Sequence, residues 1–163
     1  MTTINIRKIQ KKDNQVIKNL VINTLKEFGA KGPGFASSDA ELEDMYTAYQ
    51  VKNHCFYVVE LDGEVLGCGG IAPLAGENKE NTAELRKMYF DKKLRGKGAG
   101  KQLIDKCIEK AVQFNFESIY LETITSMKIA QKLYKSRGFE YLPQAKGNTC
   151  HTACDVHMLK KLS

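Results

Sequence analysis

The stretch Leu94–Lys101 (LRGKGAGK) holds three glycines and three basic side chains in eight residues, and a helical pattern begins directly after it. A strand, a glycine-rich turn and a helix together direct unpaired backbone N–H groups and the positive end of the helix dipole toward one point. Glycine also allows positive φ angles and lets an anion approach the backbone closely. The stretch therefore predicts an anion-binding site.

The spacing of these glycines excludes two common phosphate-binding motifs. A Walker loop has four residues between its first glycine and its Gly-Lys pair, whereas three residues separate Gly96 from Gly100. The Ser or Thr that should follow Lys101 is Gln102. A dinucleotide fingerprint requires a third glycine three positions after Gly98, where Lys101 stands. The sequence therefore predicts neither a P-loop NTPase nor a Rossmann dehydrogenase.

A second pattern comprises two cysteines and two histidines near the end of the chain, and thiols and imidazoles are zinc ligands. On a strand, His151 and His157 share one face while Cys150 and Cys154 share the other, so we expect no shared metal ion. A role for His151 or Cys154 in lining a substrate pocket stays open. Cys68 lies in an apolar strand without a positioned histidine, which predicts a thiol of the core.

Hydrophobic periodicity predicts the elements that must position these residues. The predicted strands are Thr3 to Ile9, Cys55 to Leu61, Val65 to Ile71, Thr82 to Phe90, Ser118 to Thr123, Phe139 to Leu142 and Thr152 to Leu159. The predicted helices begin at Asp13, at Ser38, in the glycine stretch before Leu103, and at Ser126. The order β-α-α-β-β-β-α-β-α-β-β predicts a single α/β domain, residues 1–163, with a mixed central sheet of about seven strands and four helices.

The composition is that of a globular protein, with 42% hydrophobic and 27% charged residues in 163. The net charge of +6 favours an anionic partner. No apolar run approaches the roughly 20 residues that cross a bilayer, and the first residues lack a signal-peptide pattern, so we expect a cytoplasmic protein without a membrane partner. Five cysteines without a regular framework predict free thiols.

Arg95, Gly98 and Gly100 match the pattern Arg/Gln-x-x-Gly-x-Gly/Ala, and here the chain resembles the Gcn5-related N-acetyltransferase (GNAT) superfamily. The resemblance extends over the segments AELRKMYF, GKQLIDKCIEKA, IYLET and AQKLYKSRGFEYL, the last of which looks like the family's helical Tyr followed by Gly-Phe. The predicted order of elements also matches the family fold. The segments GGIAPL, ELRKMYF and CHTACDVHML are similar to a bacterial subgroup of small GNAT proteins with poorly defined substrates.

The resemblance implies acetyl-coenzyme A (acetyl-CoA) as co-substrate, with its pyrophosphate in the glycine loop and its pantetheine arm on the preceding strand. Carried over residue by residue, it assigns to cofactor binding Met88, Tyr89, Phe90, Arg95, Gly96, Lys97, Gly98, Ala99, Gly100, Lys101 and Lys128. A strand bulge in the family directs a backbone N–H at the thioester carbonyl, which here falls near Met88. Met127 replaces a common Asn, so the role of that helix start stays open.

The resemblance also implies a general base, because an alkyl ammonium with a pKa near 10 is not nucleophilic at neutral pH. Glu84 matches the position of the base in some family members. Its alternative role is an exposed residue or an ion pair with Arg86, since residues two apart on a strand share a face. Glu122 on the next strand is the substitute, and a water chain between base and amine stays open.

Tyr134 matches the family's general acid. A phenol with a pKa near 10 stays protonated at neutral pH and donates to a leaving thiolate whose pKa is near 8.5. The alternative is a core aromatic beside Leu133.

The sequence thus predicts an N-acetyltransferase that moves an acetyl group from acetyl-CoA to a primary amine of a small molecule or peptide, without a metal. A catalytically silent acyl-CoA sensor is the first alternative. Nucleic-acid binding is a less favoured one, because the basic residues cluster around the glycine loop instead of spreading over a face with aromatics. Monomer and homodimer both stay open.

The acceptor is not readable from the sequence, but its surroundings are predicted. The loop AKGPGFAS (30–37) and the second helix, with Tyr46 and Tyr49, should wall the acceptor site. Four acids of that region either attract a cationic amine or form a solvated face: Asp39, Glu41, Glu43 and Asp44.

Overall fold

The computed structural model describes residues 2–77, 79 and 81–162. The strands are β1 (Ile4–Lys8), β2 (Cys55–Leu61), β3 (Glu64–Pro73), β4 (Thr82–Phe90), β5 (Ser118–Thr123), β6 (Glu140–Leu142) and β7 (Val156–Lys161). The α-helices are α1 (Asn14–Glu27), α2 (Met45–Ala48), α3 (Ala99–Gln113) and α4 (Lys128–Ser136). Seven strands and four α-helices in the predicted order confirm the fold class. Within the described residues, no helix combines the length and the apolar character needed to cross a membrane.

The seven strands form one sheet in the order β1-β2-β3-β4-β5-β7-β6. The pair β4–β5 is parallel, and the other neighbours are antiparallel. Helix α1 buries Ile17 and Val21 against one face of the sheet, and α3 buries Leu103 and Ile104 against the other. Both helices are amphipathic with a period near 3.6 residues, so each covers one face and the domain has two cores.

Strands β4 and β5 separate in the middle of the sheet. They pair only where Thr82–Glu84 lie beside Ser118–Tyr120, and residues 85–90 of β4 have no partner on β5. The two strands therefore open a cleft between them, and one edge of β4 is available to another extended chain.

A β-bulge interrupts β4 beside this cleft. Arg86 pairs with Gly70 and Tyr89 with Cys68, so Lys87 and Met88 together face a single residue of β3, Gly69. Lys87 has a φ of +50°. The bulge shifts the alternation of side chains, so that Arg86 and Lys87 lie on the same face while Met88 enters the core under α3. The resemblance predicted a bulge near Met88, and the bulge lies there.

The predicted second helix is wrong in its extent. The chain instead forms two 3₁₀ turns, Ala36–Ser38 and Ala40–Glu43, before the short α2. The expected capping box between Ser38 and Glu41 is absent, because the Ser38 hydroxyl donates to the Gly32 carbonyl at 2.9 Å and the Glu41 carboxylate binds Lys87. This inward ion pair competes with a regular helix.

The last strand starts later than predicted, at Val156 and not at Thr152. Cys150 has a φ of +64°, and the residues that follow it, up to 155, form a loop. The alternation that we used to place His151 and Cys154 therefore does not apply to them. Their positions are set by the loop's contacts with the rest of the fold.

Candidate active site

The glycine loop has the geometry of an anion site at the start of α3. Gly96 and Gly98 have φ angles of +76° and +82°, and no atom lies within 4 Å of a Cβ built on either. Gly98 is the N-cap of α3, and no side chain caps the helix. The Gln102 N–H donates to the Gly98 carbonyl at 3.2 Å, so the N–H groups of the first turn before it face the loop without a helical partner.

Gly100 does not have a positive φ, and glycine is needed there for close packing. A Cβ on it would lie 3.0 Å from Cδ2 of Leu133, so glycine allows α3 to approach α4 closely.

The basic residues of the loop divide into two groups. Lys97 and Lys101 are exposed beside the glycines, and Lys128 is exposed at the start of α4. Arg95 instead donates to both carboxylate oxygens of Glu27, at 2.5 and 3.0 Å, and from Nε to the Phe90 carbonyl at 2.9 Å. The Arg95 guanidinium therefore ties the loop to α1 and β4, whereas the two loop lysines are free to face a ligand.

The cleft between β4 and β5 contains a cluster of buried charges, and the glycine loop follows β4 along the chain. Its lining includes Phe35, Ala36, Glu84, Arg86, Lys87, Met88, Tyr89, Leu121, Glu122, Thr123, Met127, Tyr134, His151 and Cys154. Met127 is buried here and accepts a hydrogen bond from the Thr123 hydroxyl through its sulfur at 3.4 Å. The replacement for the family's usual Asn is thus an apolar wall of the cleft.

Tyr134 lies on α4 with its side chain in the cleft, and 6% of the residue is exposed. Its ring packs 6.0 Å from the ring of Phe139, centroid to centroid. Burial raises the pKa of the Tyr134 hydroxyl above its usual value. Tyr134 is therefore both a core aromatic and a protonated hydroxyl group that lines the cleft.

Glu84 is 4% exposed and accepts a hydrogen bond from Nε of Arg86 at 2.7 Å. Burial raises the pKa of Glu84, and the charge and hydrogen bond of Arg86 only partly oppose that rise. The ion pair that we considered as an alternative for Glu84 is present. The same residue also lines the cleft, so the pairing and a role in acid–base chemistry are compatible.

Glu122 lies next to Glu84 on β5. The Tyr120 hydroxyl donates to its Oε2 at 2.7 Å, and the Thr149 hydroxyl donates to its Oε1. Ligand atoms of Glu84, Glu122 and His151 all lie within 4.8 Å of one another. The structure therefore brings the two candidate bases together. The imidazole of His151, on the loop that precedes β7, lies beside both of them.

This trio is also the group that could hold a divalent cation among residues 2–77, 79 and 81–162, and it includes neither Cys150 nor Cys154. Cys150 is exposed, while Cys154 lines the cleft, so the two thiols do not converge. The carboxylates and imidazole of the trio are equally the groups that move protons in enzymes.

A set of buried ion pairs holds the 3₁₀ segment against this trio. The Lys87 side chain is 1% exposed, and its Nζ donates to Asp39 at 2.5 Å and to Glu41 at 2.7 Å. Nε2 of His151 lies 2.9 Å from both oxygens of Asp39. Burial raises the pKa of Asp39, but the contacts with His151 and Lys87 outweigh it and lower the pKa overall.

The four acids predicted near the acceptor site divide into two that are directed toward the cleft and two that face solvent. Asp39 and Glu41 point inward, whereas the exposed Glu43 binds Lys18 at 2.7 Å and Asp44 accepts from the Thr47 N–H at the start of α2. The prediction of a solvated face thus holds for two of the four acids, and the other two pair with buried cations.

Tyr46 and Tyr49 do not wall the cleft. They line a separate pocket on the β1 side, together with Lys8, Gln10 and His54. Their place beside the cleft is taken by Phe35 and Ala36 of the preceding loop.

The inward ion pairs of Lys87 with Asp39 and Glu41 were not predicted from the sequence. The glycines of β3 could have indicated the bulge in β4. Gly69 faces the bulge, and a Cβ there would lie 3.2 Å from Cβ of Met88. Paired glycines inside a strand indicate such a bulge, but they do not identify the partners of the side chain that it redirects.

Comparison with known proteins agrees with this fold. The model of the Acetyltransferase (GNAT) family matches residues 22–139. The uncharacterized N-acetyltransferase YjgM of Escherichia coli (strain K12) is 39% identical over 158 residues, which cover 96% of this chain and 94% of that protein. The N-acetylaspartate synthetase of Homo sapiens is 37% identical over 103 residues, which cover 63% of this chain and 32% of that protein.

Among solved structures, yncA of Salmonella typhimurium with its cofactor acetyl-CoA superposes with a TM-score of 0.78 at 20% identity. The superposition covers 98% of this chain and 94% of that one. The family model spans most of the domain, and YjgM is similar over nearly its whole length. The chain therefore belongs to the acetyltransferase (GNAT) family and is an N-acetyltransferase.

Proposed function

We propose that this protein transfers an acetyl group from acetyl-CoA to the primary amine of a small molecule or peptide, by direct attack of the amine. The observation that carries the proposal is the cleft between β4 and β5. The cleft has an unpaired strand edge along one side and two adjacent carboxylates in its lining, and the uncapped N-terminus of α3 follows β4 after the glycine loop.

The residues fit the coenzyme in two ways. Residues 85–90 of β4 have an edge without a strand partner, and an extended pantetheine arm can bind it through the backbone of Met88, Tyr89 and Phe90. The open space above Gly96 and Gly98, with Lys97 and Lys101 beside it, suits a pyrophosphate. When bound, acetyl-CoA supplies the activated acyl group.

The charged end of the cleft suits deprotonation of an amine. We assign the base to Glu84, because its burial raises the pKa of the carboxyl toward the range in which it accepts a proton from an ammonium more readily than an exposed carboxylate does. Glu122 lies beside it, held by Tyr120 and Thr149, and supplies a second negative charge that attracts the incoming cation.

The bulge and α4 supply the remaining groups. The backbone N–H near Met88 stabilises the oxyanion that forms on the carbonyl, because a bulge redirects an N–H away from the ladder. Tyr134, whose buried hydroxyl is protonated, donates its proton to the departing thiolate and regains one from the attacking nitrogen, so that the second proton of the ammonium ends on coenzyme A.

The name of the human relative makes α-amino acids, aspartate first, the leading acceptors to test. Only 63% of this chain aligns with that relative, which itself is about three times as long as the aligned part. Polyamines, aminoglycoside-like drugs and peptide amines are the other classes that carry a suitable amine.

The test is a screen of these amine classes for release of coenzyme A thiol from acetyl-CoA, with the melting temperature measured alongside. We expect acetyl-CoA to raise the melting temperature and at least one amine class to release thiol. Stabilisation without thiol release in any class would favour the silent acyl-CoA sensor. No stabilisation by acetyl-CoA would contradict the proposal.

A further inference from the structure

His151 occupies a place in the cleft that the proposed roles do not use. It lies on the loop before β7, and its side chain is 13% exposed. Its Nε2 contacts both oxygens of Asp39 at 2.9 Å, while its Nδ1 lies 3.7 Å from Oε1 of Glu122. One nitrogen of the imidazole, Nε2, is thus fixed by a carboxylate, and the other, Nδ1, is directed into the cleft.

The proton balance of the reaction requires a group that carries a proton out of the cleft. An ammonium enters with three N–H bonds, and the product amide keeps one of them. A second proton ends on the thiol of coenzyme A as the C–N bond forms and the C–S bond breaks. One proton therefore has to leave the cleft in every turnover.

Glu84 has little access to bulk solvent for releasing that proton, because the residue is 4% exposed and its carboxylate is paired with Arg86. A nitrogen of His151 lies within 4.8 Å of the Glu84 carboxylate, close enough for transfer through one intervening water. The His151 side chain is also more exposed, at 13%, than the Glu84 side chain, at 5%.

We propose that His151 is the proton-relay residue of this acetyltransferase and that Asp39 is its positioning residue. The proposal rests on the proposed function. The N–H bond of the ammonium breaks as the Glu84 carboxyl gains the proton, and this O–H bond then breaks as His151 gains the proton at Nδ1. The imidazolium releases it to solvent when the product leaves. Asp39 keeps its negative charge throughout, fixes the tautomer with Nε2 protonated, and stabilises the imidazolium.

The charges around His151 support this role. Asp39, Glu84 and Glu122 face it with negative charge, and Lys87 faces it with positive charge. Burial lowers the pKa of His151, but the hydrogen bond and charge of Asp39 and the charge of Glu84 outweigh burial, so the pKa lies above the usual 6.5. The ring must be neutral to accept the proton, so turnover should rise with pH through that raised pKa.

Chemical rescue tests the relay against a purely structural role. We expect His151→Ala to lower kcat by about 10- to 100-fold while the KM for acetyl-CoA stays unchanged. Added imidazoles should restore turnover, and the restored rate should vary with the pKa of the imidazole used. The limb of the pH profile assigned to His151 should disappear. His54→Ala is the matched control, because that ring contacts the Lys52 carbonyl outside the cleft, and imidazole should not change its turnover.

Two further variants keep the test decisive. Asp39→Asn should move the His151 limb to lower pH, because the ring loses a negative partner. His151→Gln, without rescue by imidazole, replaces the alanine variant if the latter fails to fold. Wild-type kcat and pH profile in the His151 variants, or rescue that is independent of imidazole pKa, would overturn the relay alone. Absence of acetylation by the wild-type enzyme would overturn the proposed function and the relay together.

Discussion

The two regions of the proposed active site are built in opposite ways. The region proposed for the acyl donor, here called the donor end, is one continuous segment, in which Gly96 and Gly98 present backbone groups before a helix. The region proposed for the amine, the acceptor end, joins four distant segments, represented by Asp39, Glu84, Glu122 and His151, and depends on buried side chains. A backbone site binds its ligand whatever the neighbouring side chains are, whereas a side-chain site can be changed residue by residue for a different amine.

The largest effect should come from closing the donor end. Gly98→Glu places a side chain and a negative charge where the pyrophosphate should bind, and forces a residue with a Cβ into a φ of +82°. We expect complete loss of the acetyl-CoA-induced rise in melting temperature.

Gly63→Glu is the matched control for this substitution. Gly63 has a φ of +87° and equally open surroundings, but it lies in the β2–β3 turn. This variant should pay the same backbone strain and keep the thermal shift. A Gly98→Glu protein that acetyl-CoA still stabilises would contradict the donor assignment.

The acceptor end should respond most strongly to loss of the base. Glu84→Gln keeps the shape and a hydrogen-bond acceptor for Arg86 but removes the proton acceptor, so kcat should fall by about 10²- to 10⁴-fold with unchanged acetyl-CoA affinity. Glu122→Gln should lower kcat by a smaller factor. A larger loss in the Glu122 variant would reverse the two roles.

The pH dependence of kcat/KM should also depend on Glu84. Glu84 must be ionised to accept a proton, and burial raises its pKa above the usual 4.5, so the acid limb of kcat/KM should lie at a higher pH than an exposed glutamate would give. Glu84→Gln should remove this limb. A limb at the same pH in both proteins would assign it to another group.

The ion pairs of the two ends should differ in their contribution to stability. Lys87→Met leaves Asp39 and Glu41 without their shared cation, and should lower the free energy of unfolding by about 3 kcal/mol. Lys93→Met is the matched control near the donor end, where the pair with Glu64 is 3.4 Å long and exposed, and should cost less than about 1 kcal/mol. Urea unfolding of both variants measures the difference, and equal losses would contradict a buried brace.

The smallest effect should come from loss of the hydroxyl that we propose as the general acid. Tyr134→Phe keeps the packing against Phe139 and removes only the hydroxyl. Because a thiolate with a pKa near 8.5 leaves readily without help, we expect kcat to fall only about 10-fold, with acetyl-CoA binding unchanged. Turnover equal to that of the wild-type enzyme would leave Tyr134 as a core aromatic alone.

The same contrast explains what the sequence could predict. Strands Cys55–Leu61, Thr82–Phe90 and Ser118–Thr123 have the bounds that their hydrophobic patterns predicted, and the glycine loop lies at the start of α3 as expected. These features depend on local periodicity and backbone conformation, which neighbouring residues determine.

The acceptor end was less predictable because its contacts are long-range. The pattern around Ser38 and Glu41 is typical of a helix start, yet Glu41 pairs with Lys87, which lies 46 residues away along the chain. The same holds for His151, whose bond to Asp39 spans 112 residues. No spacing rule predicts such pairs, and a side-chain alternation argument fails once the segment is a loop.

The most direct test of acetyl transfer by this protein is the stoichiometry of the reaction with the best amine from the screen. Thiol released from acetyl-CoA and N-acetylated product are measured together, for the wild-type enzyme and Glu84→Gln. We expect one thiol for each amide formed, at a rate that saturates with amine and falls steeply in the variant. Thiol release that is independent of amine, or binding of acetyl-CoA without any amide, would contradict it.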